Sequence, residues 1–143
     1  PDTVTLKGNI RTFRNDIRSQ VKKRITEIAD QTAAMFGGRA EIRYSLEMGT
    51  VVTDPEVTAL CGNEIKKYVA PDKLNDHTLK LPFSEDFSYI SDRVPSTFFL
   101  IGACPDGSEV IMQHNPRVIF DEDSMKTGVL VYVAGAMGYL SGG

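Results

Sequence analysis

The sequence predicts an α/β fold, and three patterns carry that prediction. Residues 3–13 and 40–46 alternate apolar and polar with a period of two, as half-buried strands do. Between them, apolar residues recur every three or four positions from Ile17 to Phe36, the period of an amphipathic helix. Further on, Phe98-Phe99-Leu100-Ile101 is a short, wholly apolar run bounded by Pro95 and Gly102, which suits a buried strand of an α/β sheet.

In chain order, Val4, Leu6, Gly8 and Ile10 share one face of the first strand, and Thr5, Lys7, Asn9 and Arg11 the other. Asn15-Asp16 supplies N-cap chemistry for the helix that follows. Its apolar stripe is Ile17, Val21, Ile25, Ile28, Ala29, Thr32 and Phe36. Gly37-Gly38 ends it, because glycine enters the left-handed region without a Cβ penalty. Ala40, Ile42, Tyr44 and Leu46 then face one way, with Glu41, Arg43, Ser45 and Glu47 opposite. The first part of the chain therefore reads strand–helix–strand.

Asp54-Pro55 opens the second part, with Asp as N-cap and Pro at the first helical position. Val57, Leu60, Cys61, Ile65 and Tyr68 give that helix its stripe, to about Val69, before Pro71-Asp72 stops it. A short alternating piece from Thr78 to Leu81 follows, and Ser84-Glu85-Asp86 is placed to cap a helical turn through Ile90. Val110 to Met112 is a candidate neighbour for the apolar strand. Asp121-Glu122-Asp123 sets acids at the N-terminus of a last helix running to about Leu140. Gly128, Gly135 and Gly138 weaken that helix on its own, so they predict close packing against another element.

The chain has 143 residues, 41% of them hydrophobic and 24% charged, enough for one ordinary folded domain rather than a disordered tail. A net charge of −3 disfavours a broad grip on nucleic acid or on an anionic membrane. No apolar run reaches the roughly 18 residues of a membrane span, and no basic-then-apolar leader is visible. Cys61 and Cys104 are either two free thiols or one bridge; so few cysteines suit a reducing, cytoplasmic location. The chain opens at Pro1-Asp2 without Met and passes straight into a strand pattern, which reads as a cut end.

Few residues promise chemistry by themselves. His114 follows a short strand, where an imidazole is either a metal ligand or, more commonly, an exposed loop residue. His77 beside Asp76 reads as surface. Ser84-Glu85-Asp86 offers carboxylates for acid–base work or, more commonly, a cap; Asp121-Glu122-Asp123 reads as dipole chemistry. Arg11 is an exposed strand arginine or a clasp for a carboxylate. No nucleophile elbow, P-loop, dinucleotide fingerprint, HExxH or CxxC is present.

Several segments together resemble a family. They are Pro1-Asp-Thr-Val-Thr-Leu-Lys-Gly-Asn-Ile-Arg-Thr-Phe13, the long helix after it, Val52-Thr-Asp-Pro55, Ser84-Glu-Asp-Phe-Ser88 and His114-Asn-Pro…Phe120-Asp-Glu-Asp123. In that order they are similar to the metal-dependent amidohydrolases: hippurate hydrolase, the auxin-conjugate hydrolases and the aminobenzoyl-glutamate hydrolases, relatives of aminoacylase and carboxypeptidase G. The resemblance covers nearly the whole chain. It implies residues 1–52 as the second half of a βαββαβ, ferredoxin-like dimerisation lid. Residues 53–143 would be the C-terminal portion of an α/β zinc-peptidase-like catalytic domain. It also implies His114 as a metal ligand, Arg11 as a lid arginine that binds the substrate's carboxylate, and Ser84 to Phe87 as lining of the active-site cleft. Two departures stand out: Phe83 occupies a place where the family usually has Gly, and Leu46-Glu-Met-Gly-Thr50 lacks the Tyr-Pro-Pro of close relatives.

The resemblance further implies a parent protein that uses two divalent metal ions, Zn or Mn, to cleave the amide bond of an N-acyl or N-aryl amino acid, or of a small peptide, with metal-activated water. All but one of the family's ligands, and its glutamate base, would lie upstream of Pro1. One imidazole cannot hold a catalytic metal, because zinc sites keep at least three protein ligands. The chain alone is therefore expected to be inactive, to carry no catalytic residue and at most one metal ligand, and to need its missing N-terminal catalytic part. Unpaired strand edges also lead us to expect a homo-oligomer. The alternative from another class is a non-catalytic dimerising or ligand-binding module.

Overall fold

The computed structural model describes residues 2–45, 47–75 and 79–141. Leu46, Asp76, His77 and Thr78, each part of a sequence expectation above, lie outside the described residues. The elements are α1 (Asn15–Met35), α2 (Pro55–Ile65), a 3-10 turn at Pro71–Lys73, α3 (Ser88–Ser91) and α4 (Ser124–Leu140). Two compact units contain them: Pro1–Val52 with Thr78–Val94, and Thr53–His77 with Pro95–Gly143.

In the first unit, α1 ends as the Gly37-Gly38 pair predicts. Gly37 sits at φ 69°, its N–H bonds Ala34 O, and the Gly38 N–H bonds Ala33 O, which is the Schellman pairing. The start differs from expectation: Arg14 holds the N-cap position, without a side-chain cap, and Asn15 is already helical. Arg14 instead pairs with Asp16 at 2.6 Å, and that guanidinium holds the Asp16 carboxyl below its ordinary pKa. The apolar stripe of α1 finds little cover. None of its residues is buried, and Ile28 is 53% exposed.

In the second unit, α2 begins as predicted. The Asp54 carboxylate accepts from the Glu56 and Val57 N–H groups, both at 2.9 Å, and Pro55 opens the helix. The helix ends at Ile65, so Tyr68 falls beyond it and is exposed. Against α2 packs α4, and the core of this unit is Cys61, Ile65 and Ala134. Two of the three glycines of α4, Gly135 and Gly138, are buried against α2 as their placing predicted, whereas Gly128 meets Ile101 in ordinary contact. A Cβ on Gly135 would lie 3.5 Å from Cys61 Sγ, one on Gly128 3.4 Å from Ile101 Cδ1, and one on Gly138 only 2.0 Å from Glu64 Cγ.

The strands are the main correction. Among the described residues no strand is formed: residues 3–13, 40–45, 98–101 and 110–112 run without ladder hydrogen bonds. The half-lid sheet expected over residues 1–52 is therefore not present among them. The reason is physical. Alternation sorts side chains onto two faces, but a strand exists only where a neighbour satisfies its N–H and C=O groups. Here the would-be inner face of the first segment is open, with Val4 75% and Leu6 92% exposed. The apolar run at 98–101 is likewise uncovered, with Leu100 52% exposed.

Candidate functional site

In the first unit, the Arg11 side chain reaches the segment just before Ser84: its Nη1 donates to Pro82 O at 2.6 Å. Ser84 itself is exposed. The turn that follows is held by main chain rather than by the acids' side chains. The Ser88 N–H donates to Glu85 O at 3.2 Å, and the Tyr89 N–H to Asp86 O at 2.9 Å. The expected side-chain cap from Ser84 to Asp86 is not made; α3 has Phe87 at its N-cap position. The structure thus brings Arg11 to Pro82, and no hydrogen bond between Arg11 and Ser84 is formed among the described residues.

His114 lies in the second unit, exposed and in an unusual backbone state. Its φ is 71°, the one left-handed non-glycine residue among those described, in a turn closed by the Asn115 N–H on Met112 O at 3.3 Å. Histidine enters this region more readily than most non-glycine residues, and an exposed turn accommodates it. Nearby, Asn115 Oδ1 accepts the Arg117 N–H at 2.9 Å, and Asp121 Oδ1 accepts the Asp123 N–H at 3.0 Å. Asp121 thus stands just ahead of α4, where its carboxylate also meets the helix dipole. Among the described residues no group of three or more His, Cys, Asp or Glu is placed to hold a metal ion. The described donors therefore do not gather into a metal centre by themselves.

A polar cleft that the sequence did not reveal also lies within the first unit. It has a volume of about 280 Å³, and Arg18, Lys22, Glu47, Gly49, Tyr89 and Asp92 are among its walls. Lys22 Nζ pairs with Glu47 Oε1 at 2.5 Å and sits 4.5 Å from the centre of the Tyr44 ring. The Tyr89 hydroxyl donates to Glu47 O at 3.2 Å, which ties the 47–49 loop to α3. The hydrogen bond from Lys22, with the charges of Lys22 and Arg18, holds the Glu47 carboxyl below its ordinary pKa. In sequence, Lys22 belongs to the solvated side of α1 and Glu47 to the polar face of an alternating run. Nothing in either pattern pairs them across 25 residues.

The thiols are both free, Cys61 buried and Cys104 exposed, which settles the open question of a bridge. Burial pushes the Cys61 thiol above its ordinary pKa, which disfavours the thiolate. No helix among the described residues is long and apolar enough to cross a membrane.

Comparison with known proteins identifies the class. Residues 4–137 match the family described as Peptidase family M20/M25/M40, and the chain belongs to it. It is 32% identical to an IAA-amino acid hydrolase ILR1-like 6 of Arabidopsis thaliana, over 99% of this chain and 31% of that protein. It is 27% identical to thermostable carboxypeptidase 1 of Saccharolobus solfataricus, over 92% of this chain and 33% of that protein. An N-acetyl-L-cysteine deacetylase of Bacillus subtilis is 28% identical, over 87% of this chain and 28% of that protein. The chain thus spans about a third of the length of the curated relatives it matches. No solved structure gives a significant match.

Proposed function

We propose that this chain is the C-terminal part of a metal-dependent amidohydrolase that cleaves the amide bond of an N-acyl or N-aryl amino acid. The observation that carries this reading is the family match over residues 4–137 in a chain about a third as long as its relatives. Two of those relatives are named for acting on an amino-acid conjugate and an N-acetyl amino acid, which supports the substrate class. In the parent protein, residues 1–52 serve as the second half of a βαββαβ lid, and the period-two alternation of residues 3–13 and 40–46 supports that role.

Within this reading, Arg11 binds the substrate's carboxylate and Ser84 lines its cleft. His114 is the single ligand this chain supplies to the parent's two divalent ions, Zn or Mn. Three ligands are the least a zinc site keeps, and the described side chains do not gather them. The partners are the N-terminal catalytic part and a second copy of the chain. The alternating segments that lack ladder hydrogen bonds among the described residues support pairing with both.

The purified 143-residue chain, assayed on N-acetyl amino acids with added manganese or zinc, is expected to show no turnover. Turnover by it overturns the proposal. In the full-length protein, His114→Ala is expected to lower bound metal and remove turnover together.

A further inference from the structure

We propose that the outward face of α4 is the surface on which the N-terminal catalytic part of the parent protein packs, an inference that rests on the reading above.

The helix turns its small residues inward and leaves its large ones outside. Ala134, Gly135 and Gly138 are buried, and α2 is the helix that α4 packs against among the described residues. Met125, Val129, Tyr132, Ala136 and Tyr139 follow one another at alternating spacings of four and three, which aligns them along one side of a helix. All five are exposed, Tyr132 to 82%, and the exposed Val133, Met137 and Leu140 broaden the stripe. At about 1.5 Å per residue it runs for about 21 Å. Large apolar side chains supply most of the free energy of burial, so a helix that leaves them bare lacks one layer of its core.

Three observations say what that layer is. From Thr127 to Leu140 no residue is charged, as in a permanent interface, which resembles a domain core cut in half. A second copy of α4 fits the stripe poorly. Helices that zip together along such a stripe need at least about three heptads and flanking charges that set their register. Met125 to Tyr139 supply about two heptads, and Lys126 is the last charge of the helix. Finally, the family match reaches residue 137, so nearly all of α4 belongs to what the family shares. The chain accounts for only 31% and 33% of two of its relatives, so most of a protein of that kind lies outside it.

The test begins with hydroxyl-radical footprinting of the unaltered full-length protein, read by mass spectrometry at Tyr132, Met137 and Tyr139. Each is expected to be modified at least about tenfold more slowly in the folded protein than in urea. Modification of Tyr132 at the unfolded rate overturns the proposal. Protection that disappears on dilution to the monomer overturns it as well, since that assigns the face to a second copy. Next, the photo-cross-linker p-benzoylphenylalanine is placed at Tyr132 of the full-length protein. The cross-link is expected in the N-terminal catalytic part. A cross-link within residues 1–143, one to a second copy, or none overturns the proposal. Turnover is not the readout, which keeps the two readings apart. An inactive protein with α4 cross-linked to its N-terminal part would sink the hydrolase reading alone, and an active one with a bare α4 this inference alone.

Discussion

The two long helices hold themselves by opposite means. α1, of 21 residues, buries none of them; it is laced on its surface by Arg24–Glu27 and by Lys23–Glu27 at 4.0 Å. α4, of 17 residues, has no charged residue after Lys126 and buries Ala134, Gly135 and Gly138 against α2. Surface pairs of the α1 kind contribute about 0.2–0.5 kcal/mol each and weaken with salt. Contacts of the α4 kind depend on backbone approach and fail when one methyl is added in the wrong place. Two such pairs, both on Glu27, are too weak to hold a 21-residue helix by themselves, and a glycine-bearing apolar helix likewise needs its neighbour.

The sharpest way to break that contrast is Gly138→Ala. The new Cβ would fall 2.0 Å from Glu64 Cγ and 3.0 Å from Glu64 Cβ, so the Glu64 side chain must swing away from Lys67. Overpacking costs about 1–3 kcal/mol, and alanine returns about 1 through helix propensity, which leaves a net loss of up to about 2 kcal/mol in a urea melt. Adding Glu64→Ala is expected to restore most of it. A net gain in the single variant would mean that α4 does not approach α2 this closely.

Gly128→Ala is the smaller, opposite change. Its Cβ would lie 3.4 Å from Ile101 Cδ1, which is ordinary contact, so the propensity gain prevails. A stabilisation of about 0.5–1 kcal/mol is expected in the same melt; a loss there would show tighter packing than the structure has.

The smallest effect belongs to the first unit. Lys22 holds the Glu47 carboxyl in its ionised form, so Glu47 titrates below an ordinary glutamate. The sign follows from linkage. A depressed folded pKa adds stability at neutral pH, and that contribution is lost only as the pH falls through the lowered value. Carbon-detected titration of Glu47 is expected to give a midpoint below the ordinary range, returned to it by Lys22→Ala or by high salt. A midpoint already at the ordinary value would remove the ion pair from the cleft wall.

Local chemistry was legible in the chain, and the partners of each segment were not. The Gly37-Gly38 stop, the Asp54-Pro55 start and the close approach at Gly135 and Gly138 all rest on a few neighbouring residues or on one missing Cβ. The Asn15-Asp16 start failed because Arg14 took the cap position and used Asp16 as its ion-pair partner. Of the site residues, His114 stood out in sequence only by its loop, and the structure adds its positive φ. Arg18, Lys22, Glu47 and Asp92 carried no motif, because each is an ordinary charge on an ordinary polar face until the chain folds back.

Sequence by itself determined that the helices form, how α1 ends, how α2 begins and which helix needs close contact, since caps, glycines and periodicity act over a few residues. It also determined the family, through segments spread over residues 4–137. Only the tertiary structure decided that the alternating segments go without a ladder, because a strand's hydrogen bonds belong to its neighbour and not to itself. The cleft was decided there too. Lys22 and Glu47 bond 25 residues apart, and which charges meet there is a property of the fold.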